Sequence, residues 1–128
     1  MRRVVVEFYE KSGGGCPYLK SCEKLRISGR DEVKIRNAIK MLEGVGWDAA
    51  MEMNLVSGYK GTESKEIFKL SAYGYRVSLF RVTEENLDRV FLCEVARKAD
   101  LKTDSRVKLF VGRAEGMRRG WLDQNRQK

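Results

Sequence analysis

The side chains in this chain best suited to chemistry are cations, and most of them stand in its last third. From Arg97 to the end there are ten Lys and Arg against four Asp and Glu, a net of +6 out of +8 for all 128 residues. They follow three apolar runs in residues 65–98, KEIFKLSAYGYRVSLFRVTEENLDRVFLCEVARK, the last of which ends on Arg97 and Lys98. A sheet whose final strand delivers positive charge, followed by more positive charge, suits a polyanion, with nucleic acid first. Lys69, Lys102, Arg106 and Arg113 are the candidate RNA-binding cations in and after that sheet. The chain contains no histidine. Proton transfer near neutral pH therefore falls to carboxylates, tyrosines, cysteines or lysines with shifted pKa values, and Ser-His-Asp or Cys-His nucleophiles are excluded. Cys16, Cys22 and Cys93 are an odd number with no zinc-like spacing, so free thiols are expected and neither metal nor cofactor is.

The composition, 42% apolar and 34% charged, fits a globular domain in a single unit over residues 1–128, with a basic helix and tail at about 104–128. No apolar run approaches the ~20 residues that span a bilayer. The N-terminal MRRVVVEFYE, cut by Glu7 and Glu10, reads as a first strand and not as a signal peptide. A cytoplasmic location is expected.

The elements that must position these cations follow from spacing. The stretch Lys11-Ser12-Gly13-Gly14-Gly15 lacks the G-K-[ST] ending of a phosphate loop and reads as a linker. Pro17 opens a helix whose apolar face is Tyr18, Leu19, Cys22 and Leu25. Ser28 with Asp31 resembles a capping box, and Ile35, Ala38, Ile39 and Leu42 define a second helix over 30–43, ended by Gly44 and Gly46. Residues 47–64 hold a short helix near 48–53 and a polar loop at 57–64, with Met51 and Met53 as packing residues. Strands follow at about 65–71, 74–82 and 88–97 as an antiparallel meander. Alternation puts Tyr75, Val77 and Leu79 on one face of the middle strand, and Arg76, Ser78 and Phe80 on the other, where Arg76 can meet solvent or a ligand. Val107, Phe110, Val111, Ala114 and Met117 mark a terminal helix capped by Thr103 or Asp104, with 122–128 frayed. The opposing expectation for Arg76 is a cross-sheet pair with Glu84, Glu85 or Glu94.

Three segments carry a family resemblance: the helical pair YLKSCEKLRISGRDEVKIRNAIKMLEGVG, the strand pair EIFKLSAYGYRVSLF with its Tyr-Arg-Val, and VFLCEVARKADLKTD with a basic pair before Lys-Thr. Together with the element order they resemble the RelE/HigB family of bacterial and phage toxins over roughly residues 16–115. The sequence departs from that pattern at Lys69-Leu70-Ser71, where many members have Glu-Leu-Arg. It departs again at Val95, where an aromatic is usual, and at Cys93, near the place of a histidine. The resemblance implies an α+β, RelE-like fold. A mainly antiparallel twisted sheet of about four strands would pack on an N-terminal helical hairpin, with a C-terminal helix.

The resemblance also implies a toxin of a type II toxin–antitoxin system, an endoribonuclease that cuts mRNA on the ribosome and is silenced by a cognate antitoxin. Cleavage by 2′-OH attack needs no metal. Arg76 would clamp the phosphate, and Lys98, Arg97 or Lys65 would add charge or move protons. The alternative is a non-enzymatic nucleic-acid-binding or regulatory protein on the same scaffold. A DNA-binding helix-turn-helix over 17–43 is the weaker third reading.

Overall fold

Period-2 alternation and long-range pairing build one five-stranded mixed sheet, with helices on both of its faces. The structure is a computed structural model that describes residues 2–60, 62 and 64–126. In chain order the elements are β1 (Arg3–Phe8), α1 (Pro17–Leu25), α2 (Gly29–Val45), α3 (Trp47–Glu52), β2 (Val56–Gly58), β3 (Ile67–Ala72), β4 (Tyr75–Thr83), β5 (Leu87–Arg97), a 3-10 turn (Lys98–Leu101) and α4 (Asp104–Arg126). The sheet order is β1-β5-β4-β3-β2. β1 runs parallel to β5, from Arg3 opposite Leu87 to Phe8 opposite Leu92. The other neighbours are antiparallel.

Local chemistry explains most of the boundaries. The Ser28 side chain accepts the Asp31 N–H at 3.2 Å and starts α2. Asp31 does not complete a capping box; its carboxylate accepts the Tyr75 hydroxyl at 2.7 Å and so ties α2 to the sheet. The β3–β4 turn is Tyr73-Gly74, both at positive φ, as a two-residue hairpin turn requires. Thr103 Oγ1 accepts the Arg106 N–H at 3.3 Å and caps α4, which stays helical through 122 to Arg126 against the fraying expected there, while residues 127–128 lie outside the described residues.

One core lies between the sheet and α1, α2 and α3. Tyr18, Ile35, Leu42, Trp47 and Ala50 pack there on Leu70, Val77, Leu79, Leu92 and Val95. A second core lies under α4, where Phe80, Phe91, Cys93, Ile67 and Tyr9 meet Val111 and Ala114. Burial on two faces is why β4 and β5 read as near-continuous apolar runs. Met51 packs on the first core, as expected, whereas Met53 is exposed.

The sheet has five strands where about four were expected. The additional one, β2, is a Val-Ser-Gly tripeptide held by pairing with β3, Val56 opposite Leu70 and Gly58 opposite Phe68. Three residues are too few for alternation to register. Among the described residues no helix is long and apolar enough to cross a membrane.

Candidate nucleic-acid interface

Register decides which cations share a face. Lys69 stands opposite Ser78, and Ser71 opposite Arg76. Lys69 and Arg76 are therefore diagonal neighbours on the side of the sheet that carries α4. Arg76 is opposite Ala96, and Tyr75 is opposite Arg97. Alternation then sends Lys98 to the Arg76 side and Arg97 to the other. A bulge on β5 beside Ser78 and Leu79 makes this phase hard to read from the sequence, because the extra residue restarts the alternation.

The result is a cleft of about 530 Å³ between the β2–β3 end of the sheet and the start of α4. Lys60, Lys69, Arg76 and Lys98 line it against one carboxylate, Asp104. Among the described residues none of these four cations takes part in an ion pair. The cross-sheet partners considered for Arg76 are engaged elsewhere or not near: Glu94 pairs with Arg113 at 2.7 Å and Glu84 with Arg89 at 3.3 Å, and Glu85 makes no ion pair among the described residues. Arg76, which lines the cleft, spends one N–H on its neighbour's carbonyl, Nη1 to Tyr75 O at 2.8 Å, and a guanidinium carries further donors for a ligand.

Crowding changes the lysine between them. Burial, then the Arg76 guanidinium, then the Lys60 ammonium hold the Lys69 pKa below its usual value. Its ammonium sits over the Tyr59 ring, 5.0 Å from the centroid. Tyr59 also lines the cleft. Its hydroxyl is buried without a hydrogen-bond partner among the described residues, and burial raises its pKa. An unmade bond of this kind costs about 1–3 kcal/mol, recoverable if a ligand oxygen accepts it.

The other expected site residues lie elsewhere. Arg97 crosses to the far face and donates to the Leu25 carbonyl at 2.7 Å, closing the end of α1. Lys65 is exposed in the bend before β3 and does not line the cleft. Lys102 is exposed after the 3-10 turn. Arg106 and Arg113 line a neighbouring groove between α1 and α4, and Arg113 is held by Glu94. The face given to solvent by alternation is open only at the Arg76 end, since α4 covers Phe80.

Tyr59 and Lys60 were missed by sequence reasoning, which put both in a polar loop. Only the short β2 brings them to Lys69, and nothing in their spacing signals it. Among the described residues no cluster of His, Cys, Asp and Glu could hold a metal ion. Fold and site define an α+β protein with an unpaired cationic cleft at one end of its sheet. No protein-family model and no curated protein matches this chain.

Proposed function

We propose that the chain is a RelE/HigB-like toxin, a metal-independent endoribonuclease that cuts mRNA at the ribosome and is held in check by a cognate antitoxin in the cytoplasm. The observation that carries this reading is the meeting of Arg76, Lys69 and Lys98, unpaired, in one cleft. Lys69 and Arg76 come from the strand pair EIFKLSAYGYRVSLF and Lys98 from VFLCEVARKADLKTD, two of the segments that carry the family resemblance, with Lys69 at one of its departures.

The chemistry needs three things, and the cleft has a group for each. Neutral Lys69 accepts the 2′-OH proton, because its lowered pKa leaves more free amine at neutral pH. The 2′-oxygen then attacks the adjacent phosphorus. The planar Arg76 fork stabilises the charge that gathers on the non-bridging oxygens. The Lys98 ammonium gives its proton to the departing 5′-oxygen. The products are a 2′,3′-cyclic phosphate and a 5′-hydroxyl, with every proton accounted for.

Induction in growing cells tests the reading. Wild-type protein should arrest translation and leave cut mRNA in primer extension, and Arg76→Ala with Lys98→Ala should relieve both. Loss of one transition-state donor costs about 10²–10³ in rate. If wild-type induction is harmless and mRNA stays intact while RNA binding persists, the non-enzymatic binding protein takes its place.

A further inference from the structure

The two edges of the sheet differ in how well they are closed. β2 ends one edge with three residues, the last of them Gly58, and a strand so short recruits no other. β1 forms the other edge with six residues, Arg3-Val4-Val5-Val6-Glu7-Phe8, in unbroken register with β5 and free of proline. A regular, apolar edge of that kind is a template for pairing with a further strand.

The ladder to β5 fixes which backbone groups β1 leaves unused. Tyr9 N–H donates to Leu92 O at 2.9 Å, so the odd residues turn their N–H and C=O towards β5 and the even ones turn theirs away. The peptide groups of Val4, Val6 and Phe8 therefore point off the sheet, and among the described residues none of them has a backbone partner. Side chains alternate in the same way. Val4 and Val6 face the first core. Glu7 meets Arg89 at 2.8 Å on the other face, where Arg89 lies over Trp121 of α4, and Arg3 and Val5 share that face with it. Arg3 is exposed and makes no ion pair among the described residues. Val5 and Val6 are half-buried, and Phe8 is exposed.

We propose that β1 pairs antiparallel with β1 of a second copy of this chain, about a two-fold axis at Val5, joining two sheets into one of ten strands, five from each copy. Two independent conditions choose the same register. Hydrogen bonding needs an even residue opposite an even residue, because only those groups point outward. Centring on Val5 meets this, with Val4 opposite Val6 of the second copy. The same alignment sets Arg3 opposite Glu7 of the second copy at both ends, a cross-strand pair of opposite charge. Centring on Val4 or Val6 keeps the bonds but leaves Arg3 facing Val5 or Tyr9. Arg89 binds both oxygens of Glu7 and holds them in place, and a carboxylate has acceptor sites left for Arg3. The occupant is a second copy because the run from Arg3 to Glu7 complements its own reverse, and an antiparallel two-fold closes at two chains. The Arg76 cleft lies beside β2 at the opposite edge and stays open in each copy.

Sedimentation velocity of the full chain, freed of nucleic acid, tests this over about 1–300 μM, the range in which small interfaces associate reversibly. The mass should rise from one chain towards two. Arg3→Glu and Glu7→Arg should each weaken association at least about tenfold, since each sets like charges opposite one another at both ends. An equimolar mixture of the two variants should dimerise as wild type does, because opposite charges then meet again. Val5→Cys should link chain to chain through position 5 under mild oxidation, where wild type does not: the Cα atoms of such a pair stand about 4.5 Å apart, within reach of a disulfide. If Glu7→Arg loses its fold with the Arg89 contact, Arg3→Glu and the link at position 5 decide by themselves. A chain that stays monomeric throughout overturns the proposal and leaves the edge to a strand of another protein. Association indifferent to Arg3→Glu, or a mixture of folded variants that stays monomeric, overturns it too.

Discussion

Replacing Lys69 separates a catalytic lysine from one that only attracts phosphate. Its pKa lies below the usual lysine value because burial, Arg76 and Lys60 all disfavour its charge. The free amine is the form that accepts a proton, so the logarithm of the cleavage rate should rise by one per pH unit through neutrality. It should flatten at that lowered pKa, short of the ordinary lysine value. Lys69→Met keeps an unbranched stem beside Tyr59 and removes the amine, so the rate should fall by about 10²–10⁴ and the slope should vanish. Lys69→Arg keeps the charge but cannot give up its proton, and should be equally inactive. Arg76→Ala adds a finer check, because removing that neighbour lets the Lys69 pKa climb and moves the flat region to higher pH. Stability should respond with the opposite sign. An unfolded lysine holds its proton more tightly than Lys69 does, so the folded state is penalised below the lowered pKa and relieved as pH rises towards the unfolded value. Lys69→Met should therefore raise Tm at pH 7 while abolishing activity. The assay is single-turnover cleavage of a labelled oligonucleotide from about pH 6 to 10, the range in which a perturbed lysine titrates. A Lys69→Met protein with the wild-type rate and slope would refute the assignment.

Other expectations test the scaffold. Phe80 is fully buried and stacks on Phe91 at 5.0 Å beneath α4; Phe80→Ala should cost about 3–5 kcal/mol in chemical denaturation and expose the α4 face to protease. Tyr59→Phe removes a buried hydroxyl that has no partner among the described residues, so denaturant stability should hold or rise by up to about 1 kcal/mol while RNA affinity falls. Glu115 accepts from Arg118, Ser64 and Arg119, contacts that hold its carboxyl below the ordinary range, with the Arg118 bond the largest cause. Glu115→Gln should cost about 1 kcal/mol at pH 7, a figure kept low because Arg119 is largely exposed. A depressed carboxylate stabilises above its unfolded pKa and stops doing so as pH falls through the folded one, so the difference in Tm should close in acid.

Much of the scaffold was legible because the signals were local. The apolar positions of α2, the Ser28 cap, the Tyr73-Gly74 turn and the three long strands all follow from spacing within one segment, and the valine run of β1 reads as a first strand, though nothing in it announces the parallel pairing with β5. What escaped depended on distance. β2 exists only through β3, so Tyr59 and Lys60 joined the cleft unannounced. Arg97 and Lys98 are adjacent in sequence and equally basic, yet one closes α1 and the other faces Arg76. Pairing register settles that difference, and a bulge within β5 conceals it. The cations of α4 looked interchangeable in the sequence, but Arg113, Arg118 and Arg119 are engaged by Glu94 and Glu115. Excess charge pointed to a polyanion; only tertiary packing says which cations remain free to meet it.

Cleavage of one RNA in two forms bears most directly on the cleft. Purified protein would be mixed, with ribosomes and in the presence of a chelator, with a labelled mRNA and with the same mRNA carrying a single 2′-deoxy residue at the mapped cut. The expected result is cleavage of the first alone, leaving a 2′,3′-cyclic phosphate upstream and a 5′-hydroxyl downstream, and loss of that cleavage in Arg76→Ala. Equal cutting of both RNAs, or no cutting of either, would contradict internal attack by the 2′-hydroxyl in the Arg76 cleft.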